Sequence, residues 1–128
     1  MEVKQCELRK ALSCDEKDSV LEVAKKLKKN EERHIVVVSS GKPVGLISTT
    51  DMNNRVVAEN KDAKKTKAKQ IMTSPIMVKD VSDSLGRVYF DMLKSNVFSI
   101  PIVSKGKLKG VLDLKEAMNQ LIRAKFQK

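Results

Sequence analysis

The chain has 128 residues, of which 41% are apolar, and 26 basic against 16 acidic side chains give it a formal net charge of +10. This length fits one compact domain or two small halves that share a core. The apolar runs are much shorter than a membrane span and none resembles a signal peptide, which excludes a membrane protein and predicts a cytoplasmic one. Cys6 and Cys14 are too few for a disulfide framework, so free thiols are expected.

The sequence is written twice. Residues 4–60 align without a gap on residues 69–125, as the pair Gly45 and Gly110 shows. A duplication of this length predicts a supersecondary module that buries its apolar face against its copy. The predicted organisation is repeat 1 at 1–60, a basic linker at 61–67 and repeat 2 at 68–128.

Each repeat is predicted to fold as β-α-β-β-α. Ser19 and Glu22 have the spacing of a capping box, and apolar residues follow at helical spacing as far as Asn30, which can end the helix. The β-branched run 35–38 predicts a buried strand.

A hairpin turn at 39–43 leads into the return strand 44–47. The helix that starts near 49–51 is expected to turn Met52, Val56 and Val57 toward the core.

Repeat 2 copies this pattern. Pro101 lies in the strand 100–103, and a proline there predicts an edge or irregular position. The residues 60–67 between the repeats are polar and basic, and we expect them to be exposed. The last helix carries an apolar stripe of Ala117, Met118, Leu121, Ile122 and Phe126.

Catalytic and metal motifs are missing from the sequence. His34 is the only histidine, and no carboxylate pair or Ser/His/Asp set has a recognisable spacing. Cys6, Cys14 and His34 match no familiar metal site, and there is no Gly-rich phosphate loop. We therefore predict a protein that is not an enzyme, binds no metal and requires no cofactor.

The segment 45–51 leads from a strand into a helix. Ser48, Thr49 and Thr50 place hydroxyl groups at the helix start, where free N–H groups favour an anion. Asp51 can accept hydrogen bonds from a ribose diol, so the segment describes a nucleotide-shaped site. The alternative is that Ser48 or Thr49 merely caps the helix and Asp51 favours its first turn. The segment alone leaves both interpretations open.

The segments that carry a family pattern are 18–20, 33–38 and 45–51 in repeat 1, and 71–73, 83–85, 99–103 and 110–116 in repeat 2. Together they resemble a tandem pair of cystathionine-β-synthase (CBS) domains, also called a Bateman module, over nearly the whole chain. The resemblance implies an α/β (α+β) fold of two motifs related by a pseudo-twofold axis, with sheets packed face to face and two clefts between the motifs. It also implies adenosyl ligands such as AMP, ADP, ATP or S-adenosylmethionine in those clefts, and a homodimer.

Carried over residue by residue, the resemblance implies one competent site, in repeat 1. Ser48 takes the phosphate-hydroxyl position and Asp51 the ribose-carboxylate position. Arg33 and His34 lie where related nucleotide sensors place phosphate-binding basic residues, and the alternatives are a surface cation and a strand-end residue. The implied ligand-binding set is Arg33, His34, Ser48, Thr50, Asp51, Leu12 and Ser13, with Lys115 reaching across from repeat 2.

Repeat 2 departs from the family pattern at the same positions. Asp113 replaces the hydroxyl and would repel a phosphate, and Glu116 is one methylene longer than the aspartate it replaces. Phe98 and Ser99 replace the basic pair. The second cleft is therefore expected to be weak, empty or adapted to another ligand. Its residues are Asp113, Glu116, Met77 and Val78.

The leading functional hypothesis is a regulatory module that binds an adenine nucleotide, AMP or ADP first, and signals to an unknown protein partner. One alternative is nucleic-acid binding through the basic surface, although we expect no exposed aromatic residues for stacking. Another is a ligand-free scaffold that acts by dimerising, and the charge itself also fits a plain Lys-coated surface. The basic surface would comprise Lys25, Lys26, Lys28, Lys29, Lys61, Lys64, Lys65, Lys67 and Lys69.

Overall fold

The predicted β-α-β-β-α order is present in both repeats of the computed structural model, which describes residues 1–126. Residues 127 and 128, the end of predicted repeat 2, lie outside the described residues. Repeat 1 contains β1 (Ser13–Asp15), α1 (Val20–Asn30), β2 (His34–Ser39), β3 (Lys42–Ser48) and α2 (Thr49–Met52), which continues as a π-helical turn (Asn53–Val57). A 3-10 turn (Val3–Gln5) precedes the elements of repeat 1, and the short helix α3 (Ala68–Ile71) precedes those of repeat 2. Repeat 2 contains β4 (Lys79–Asp80), α4 (Leu85–Lys94), β5 (Ser99–Ser104), β6 (Lys107–Asp113) and α5 (Leu114–Phe126).

The strands form two three-stranded sheets, in the orders β1-β2-β3 and β4-β5-β6. In each sheet the first pair is parallel and the second pair is antiparallel. The antiparallel pairs are joined by two-residue turns, Ser40-Gly41 and Lys105-Gly106, in which both residues have positive φ. Positive φ at both positions is typical of a type I′ turn, whose twist matches that of the flanking strands.

Helix α1 shows how the local sequence sets an element. The Ser19 hydroxyl accepts a hydrogen bond from the Glu22 amide at 3.2 Å, and Glu31 ends the helix in a left-handed conformation. The N-cap prediction is confirmed, although the Glu22 carboxylate lies 3.9 Å from Lys25 Nζ, on the outer face. Val20, Val23 and Leu27 are buried at helical spacing, so α1 covers its sheet with one apolar face.

The chain divides into two compact units that do not coincide with the repeats. Leu12–Ile76 is the first unit, and Met1–Ala11 with Met77–Lys128 is the second unit. Ala68 and Ile71 of α3 therefore belong to the core of the first unit, whereas Val3 lies in the core of the second. The repeat boundaries taken from the duplication stay a prediction.

The predicted linker is only partly exposed. Its lysines lie in solvent, but Thr66 is buried and Ala63 packs against the core of the first unit. The Thr66 carbonyl accepts a hydrogen bond from the Val20 amide at 2.8 Å, and the Thr66 hydroxyl donates to the Asp62 carbonyl at 2.8 Å. The segment is therefore fastened to the start of α1.

Two predictions of buried apolar residues are wrong. Val57 is 72% exposed, because the helix widens into a π-helical turn after Met52 and its last residue then faces solvent. On α5 only one side of the predicted stripe packs, with Ala117 buried and Leu121 half-buried. The exposed members of that stripe are Met118, Ile122 and Phe126.

Of the edge or irregular position predicted for Pro101, the edge is wrong, since β5 is the central strand of its sheet. The irregular position is confirmed, because β4 does not pair with Pro101. Its counterpart Val36 donates an amide hydrogen bond to the Leu12 carbonyl at 2.9 Å, which a proline cannot do. Correspondingly, β4 pairs with β5 only from Ile102 onward, whereas β1 already pairs at Val36. The proline sits where its neighbouring strand has not yet begun.

The glycine shared by the two return strands permits a close approach of a second segment. A Cβ atom at Gly110 would lie 2.9 Å from the Arg9 carbonyl oxygen and 2.9 Å from Leu8 Cβ. A Cβ atom at Gly45 would instead meet the flexible side chain of Met72. A side chain at position 110 is obstructed by backbone, whereas one at position 45 is obstructed only by a movable thioether.

We therefore expect Gly110→Ala to lower the free energy of unfolding by about 1–3 kcal/mol, because the segment that contains Arg9 must shift. Gly45→Ala should cost less, since Met72 can adopt another rotamer. Urea unfolding of both variants beside the wild type measures the difference. Equal losses, or a larger loss for Gly45→Ala, would contradict this account.

Candidate functional site

The open end of the β2-β3 hairpin gathers most of the predicted ligand-binding residues. His34 and Ser48 are direct partners in the antiparallel register, which brings their side chains to one face of the sheet. The Thr49 amide donates to the Arg33 carbonyl at 2.9 Å, so the start of α2 is fixed to the residue before β2. Polar residues from the two strands and the helix therefore share one edge.

Ser48 and Asp51 form a reciprocal capping box at the start of α2. The Asp51 amide donates to Ser48 Oγ at 3.1 Å, and the Ser48 amide donates to Asp51 Oδ2 at 2.9 Å. The capping contacts considered as the alternative to a ligand site are thus present in the fold. They use the Ser48 oxygen only as an acceptor, so its O–H group keeps a donor for another oxygen.

Arg55 contacts the candidate site, and sequence reasoning missed it. Its Nε lies 3.7 Å from Asp51 Oδ1, and its terminal nitrogen donates to the Ile71 carbonyl at 2.8 Å. The guanidinium thus lies between the second Asp51 oxygen and the end of α3. The available signal was the spacing of four residues between an acid and a base on one helix.

Arg33, His34 and Thr50 are exposed. Within residues 1–126 none of their side chains makes a hydrogen bond or an ion pair. α2 itself has only four residues, so its dipole is a weaker reason to expect an anion than the sequence suggested. The unpaired donors beside Ser48 are the stronger reason, because a guanidinium and hydroxyls suit a phosphate.

Leu12 and Ser13, the other members of the predicted set from repeat 1, lie on the other side of β2. The Leu12 carbonyl accepts from the Val36 amide at 2.9 Å, and the Ser13 carbonyl accepts from Lys26 Nζ at 3.1 Å. Leu12 also packs partly against the core of the first unit. Lys115, the remaining member of the predicted set, lies on α5 of the second unit, so the first unit does not contain it.

At the corresponding position of repeat 2, Asp113 is held inside a charged cluster. Arg9 makes a bidentate contact with it, Nε to Oδ2 at 2.7 Å and a terminal nitrogen to Oδ1 at 3.0 Å. The Ser99 hydroxyl donates to Oδ1 at 2.7 Å. Burial alone would raise the pKa of Asp113, but the hydrogen bonds from Arg9 and Ser99 and the charge of Arg9 together lower it below its ordinary value.

Glu116 is also engaged by the protein. Its Oε2 accepts from the Glu7 amide at 2.7 Å and from the Gln120 side chain at 3.2 Å. The longer side chain thus reaches the N-terminal segment, whereas Asp51 turns back onto its own helix. The other residues predicted for this cleft, Met77 and Val78, are half-buried, and Met77 packs on the core of the second unit.

Thiol and metal chemistry find no support in the described part of the chain. Burial, together with the charge of Glu116, raises the pKa of Cys6 to about 11. Burial and nearby carboxylates likewise raise that of Cys14 to about 11, so neither thiol is an activated nucleophile. Among residues 1–126 no three His, Cys, Asp or Glu side chains are grouped to hold a metal ion, and no helix has the length and apolarity to cross a membrane.

Sequence comparison identifies two copies of one family. The CBS domain model matches residues 3–58 and 68–123, which together cover most of the chain. An uncharacterized protein from Methanopyrus kandleri is 23% identical over 103 residues, which are 79% of this chain and 53% of that protein. The chain therefore spans about half the length of the curated relative it matches.

Solved structures share the fold. A CBS domain protein from Pyrobaculum aerophilum, determined as a complex with AMP, superposes with a TM-score of 0.73 at 26% identity, over 95% of this chain and 98% of that one. A CBS domain pair/ACT domain protein from Thermotoga maritima gives a TM-score of 0.75 at 18% identity, over 97% and 98% of the two chains. The two three-stranded sheets with their helices are thus the architecture of a CBS pair.

Proposed function

Because the chain belongs to the CBS domain family, whose paired domains are regulatory ligand-binding modules, we propose that it senses an adenine nucleotide, with AMP or ADP favoured. The ligand would bind at the open end of the β2-β3 hairpin and signal to a protein partner. The observation that carries the proposal is the cluster of unpaired donors, Arg33, His34 and Thr50, beside the Ser48 hydroxyl. No catalytic step is proposed.

The phosphate and the ribose of a nucleotide each have a counterpart at this end of the hairpin. The Arg33 guanidinium offers a planar fork of donors to phosphate oxygens, and the Ser48 hydroxyl adds another. Asp51 Oδ1 is 3.7 Å from Arg55, longer than a hydrogen bond, so this oxygen retains capacity to accept from a ribose hydroxyl. The AMP bound by the Pyrobaculum aerophilum relative supports the same class of ligand.

We propose one nucleotide per chain. In repeat 2 the two carboxylates at the corresponding positions are already bonded to Arg9, Ser99 and the Glu7 amide. A phosphate placed there would meet negative charge in place of the donors of repeat 1. The counterparts of the basic pair, Phe98 and Ser99, supply no cation.

A titration of the protein with AMP, followed by calorimetry, tests the proposal through Arg33→Gln. Arg33 is exposed and unpaired among residues 1–126, so its loss should leave the fold intact. We expect the dissociation constant to rise about ten-fold or more, because a charge-assisted hydrogen bond to phosphate is lost. Arg123→Gln, an equal charge change at an exposed position of α5, is the control and should bind as the wild type does.

Two results would count against a nucleotide sensor. Equal affinities of Arg33→Gln and wild type would remove Arg33 from the site. No binding of AMP, ADP, ATP or S-adenosylmethionine by the wild type would favour the basic surface, whose exposed lysines include Lys61, Lys64 and Lys65. Lys26 is half-buried and bonded to Ser13, so it does not belong to that surface. Binding of nucleic acid there would fall steeply with salt.

We further propose that two copies of the chain pair through α4 and α5. Both helices expose large apolar side chains, Phe90 at 54% and Leu93 at 51% among them. Repeat 1 carries Lys25 and Lys28 at the same two positions. Since the fold itself accepts lysine there, the apolar residues of repeat 2 are explained better by a partner surface than by packing within the chain. The exposed residues are Phe90, Leu93, Met118, Ile122 and Phe126.

Sedimentation of a Phe90→Lys, Leu93→Lys double variant tests this pairing. We expect a dimer for the wild type and a monomer for the variant, because four added charges would face one another across the interface. Val57→Lys changes an even more exposed apolar residue, of the first unit, and should leave the dimer intact. A monomeric wild type, or a double variant of unchanged mass, would refute the proposed surface.

A further inference from the structure

In each unit a chain segment pairs with the return strand near the glycine. Thr73 and Leu46 exchange backbone hydrogen bonds at 2.8 and 3.0 Å in the first unit. Arg9 and Val111 exchange them at 2.9 Å in both directions in the second. The backbone arrangement is therefore shared by the two units, and any difference between them lies in the side chains.

In the second unit the side chains of Arg9, Asp113 and Glu116 also tie this segment down. Arg9 donates two hydrogen bonds to Asp113, and the Glu7 amide donates one to Glu116. The duplication places Ser74 where the other copy has Arg9. In the first unit Ser48 and Asp51 instead bond each other.

We infer that Asp113 forms a binding site for a cationic ligand, a guanidinium, and that the ligand is Arg9 of the chain's own segment 7–9, whose Glu7 amide is held by Glu116. Asp113 puts a negative charge where repeat 1 has the neutral Ser48, and Phe98 and Ser99 stand in place of the basic pair. The site therefore selects a guanidinium instead of a phosphate. Asp113 supplies both oxygens to the planar fork of Arg9, which is the geometry that a carboxylate and a guanidinium prefer.

Other residues complete this self-occupied site. Ser99 donates its hydroxyl to Asp113 at 2.7 Å and so orients the carboxylate toward Arg9. Gly110 lets Leu8 and Arg9 approach strand β6 closely, since a Cβ atom at position 110 would collide with both residues. The segment therefore acts as an intramolecular occupant that closes the repeat 2 position. This inference stands whether or not repeat 1 binds a nucleotide.

Hydrogen–deuterium exchange of peptides within residues 1–11 tests the inference without any added ligand. Asp113→Asn keeps the shape and an acceptor for Ser99 but loses the ion pair with Arg9. Arg9 and Asp113 are 49% and 34% exposed, so we expect a modest acceleration of exchange, about two- to five-fold. Glu59→Gln, a charge change at an exposed position of the first unit, should leave these peptides at the wild-type rate.

A charge swap separates the pairing from a general loss of stability. Arg9→Asp alone should accelerate exchange in residues 1–11, and Arg9→Asp combined with Asp113→Arg should restore slow exchange. Peptides of α1 in the first unit should keep their rates throughout. The inference is overturned if Asp113→Asn exchanges like the wild type, if the swap does not restore protection, or if all peptides accelerate together.

Discussion

The structure depends on the burial of a short helix in each core. The helix at the start of one repeat packs into the core formed by the strands of the other repeat. Ala68 and Ile71 fill the core of the first unit, and Val3 fills the corresponding place in the second. The burial of a side chain such as Ile71 contributes about 1.5–3 kcal/mol, a large share of the stability of a domain this small. The duplicated module is thus incomplete alone, and this constraint fixes the chain segments that lie beside each return strand.

The regular elements follow from the sequence because their signals are local. Strand β2 is a β-branched run, and α1 has apolar spacing with Ser19 at its cap, so both could be predicted within a few residues. The errors arose where a neighbour decided the outcome. Val57 is turned out by a π-helical turn, and Pro101 lies in a central strand where β4 has not begun. Nothing in the nearby sequence indicates the π-helical turn, and Pro101 indicates an irregular position without showing that β5 is central.

The candidate site divides in the same way. The segment 45–51 could be proposed from its own residues as a nucleotide site or a helix cap, and Arg55 could have been found from its helical spacing of four to Asp51. The partner of Asp113 could not be predicted from the sequence, because Arg9 lies 104 positions away and no periodicity connects the two residues. Two copies of one sequence have therefore reached opposite solutions at the same place, unpaired donors in one and a satisfied ion pair in the other. The central claim is that only the first can receive an anionic ligand.

A titration of the isotope-labelled protein with AMP, followed by amide chemical shifts, tests this claim most directly because it reports both position and number. The account predicts saturable shifts at residues 33–34 and 48–51 with a single dissociation constant, and unchanged amides at residues 113–116. Shifts of equal size in 113–116, or shifts confined to that segment, would contradict it.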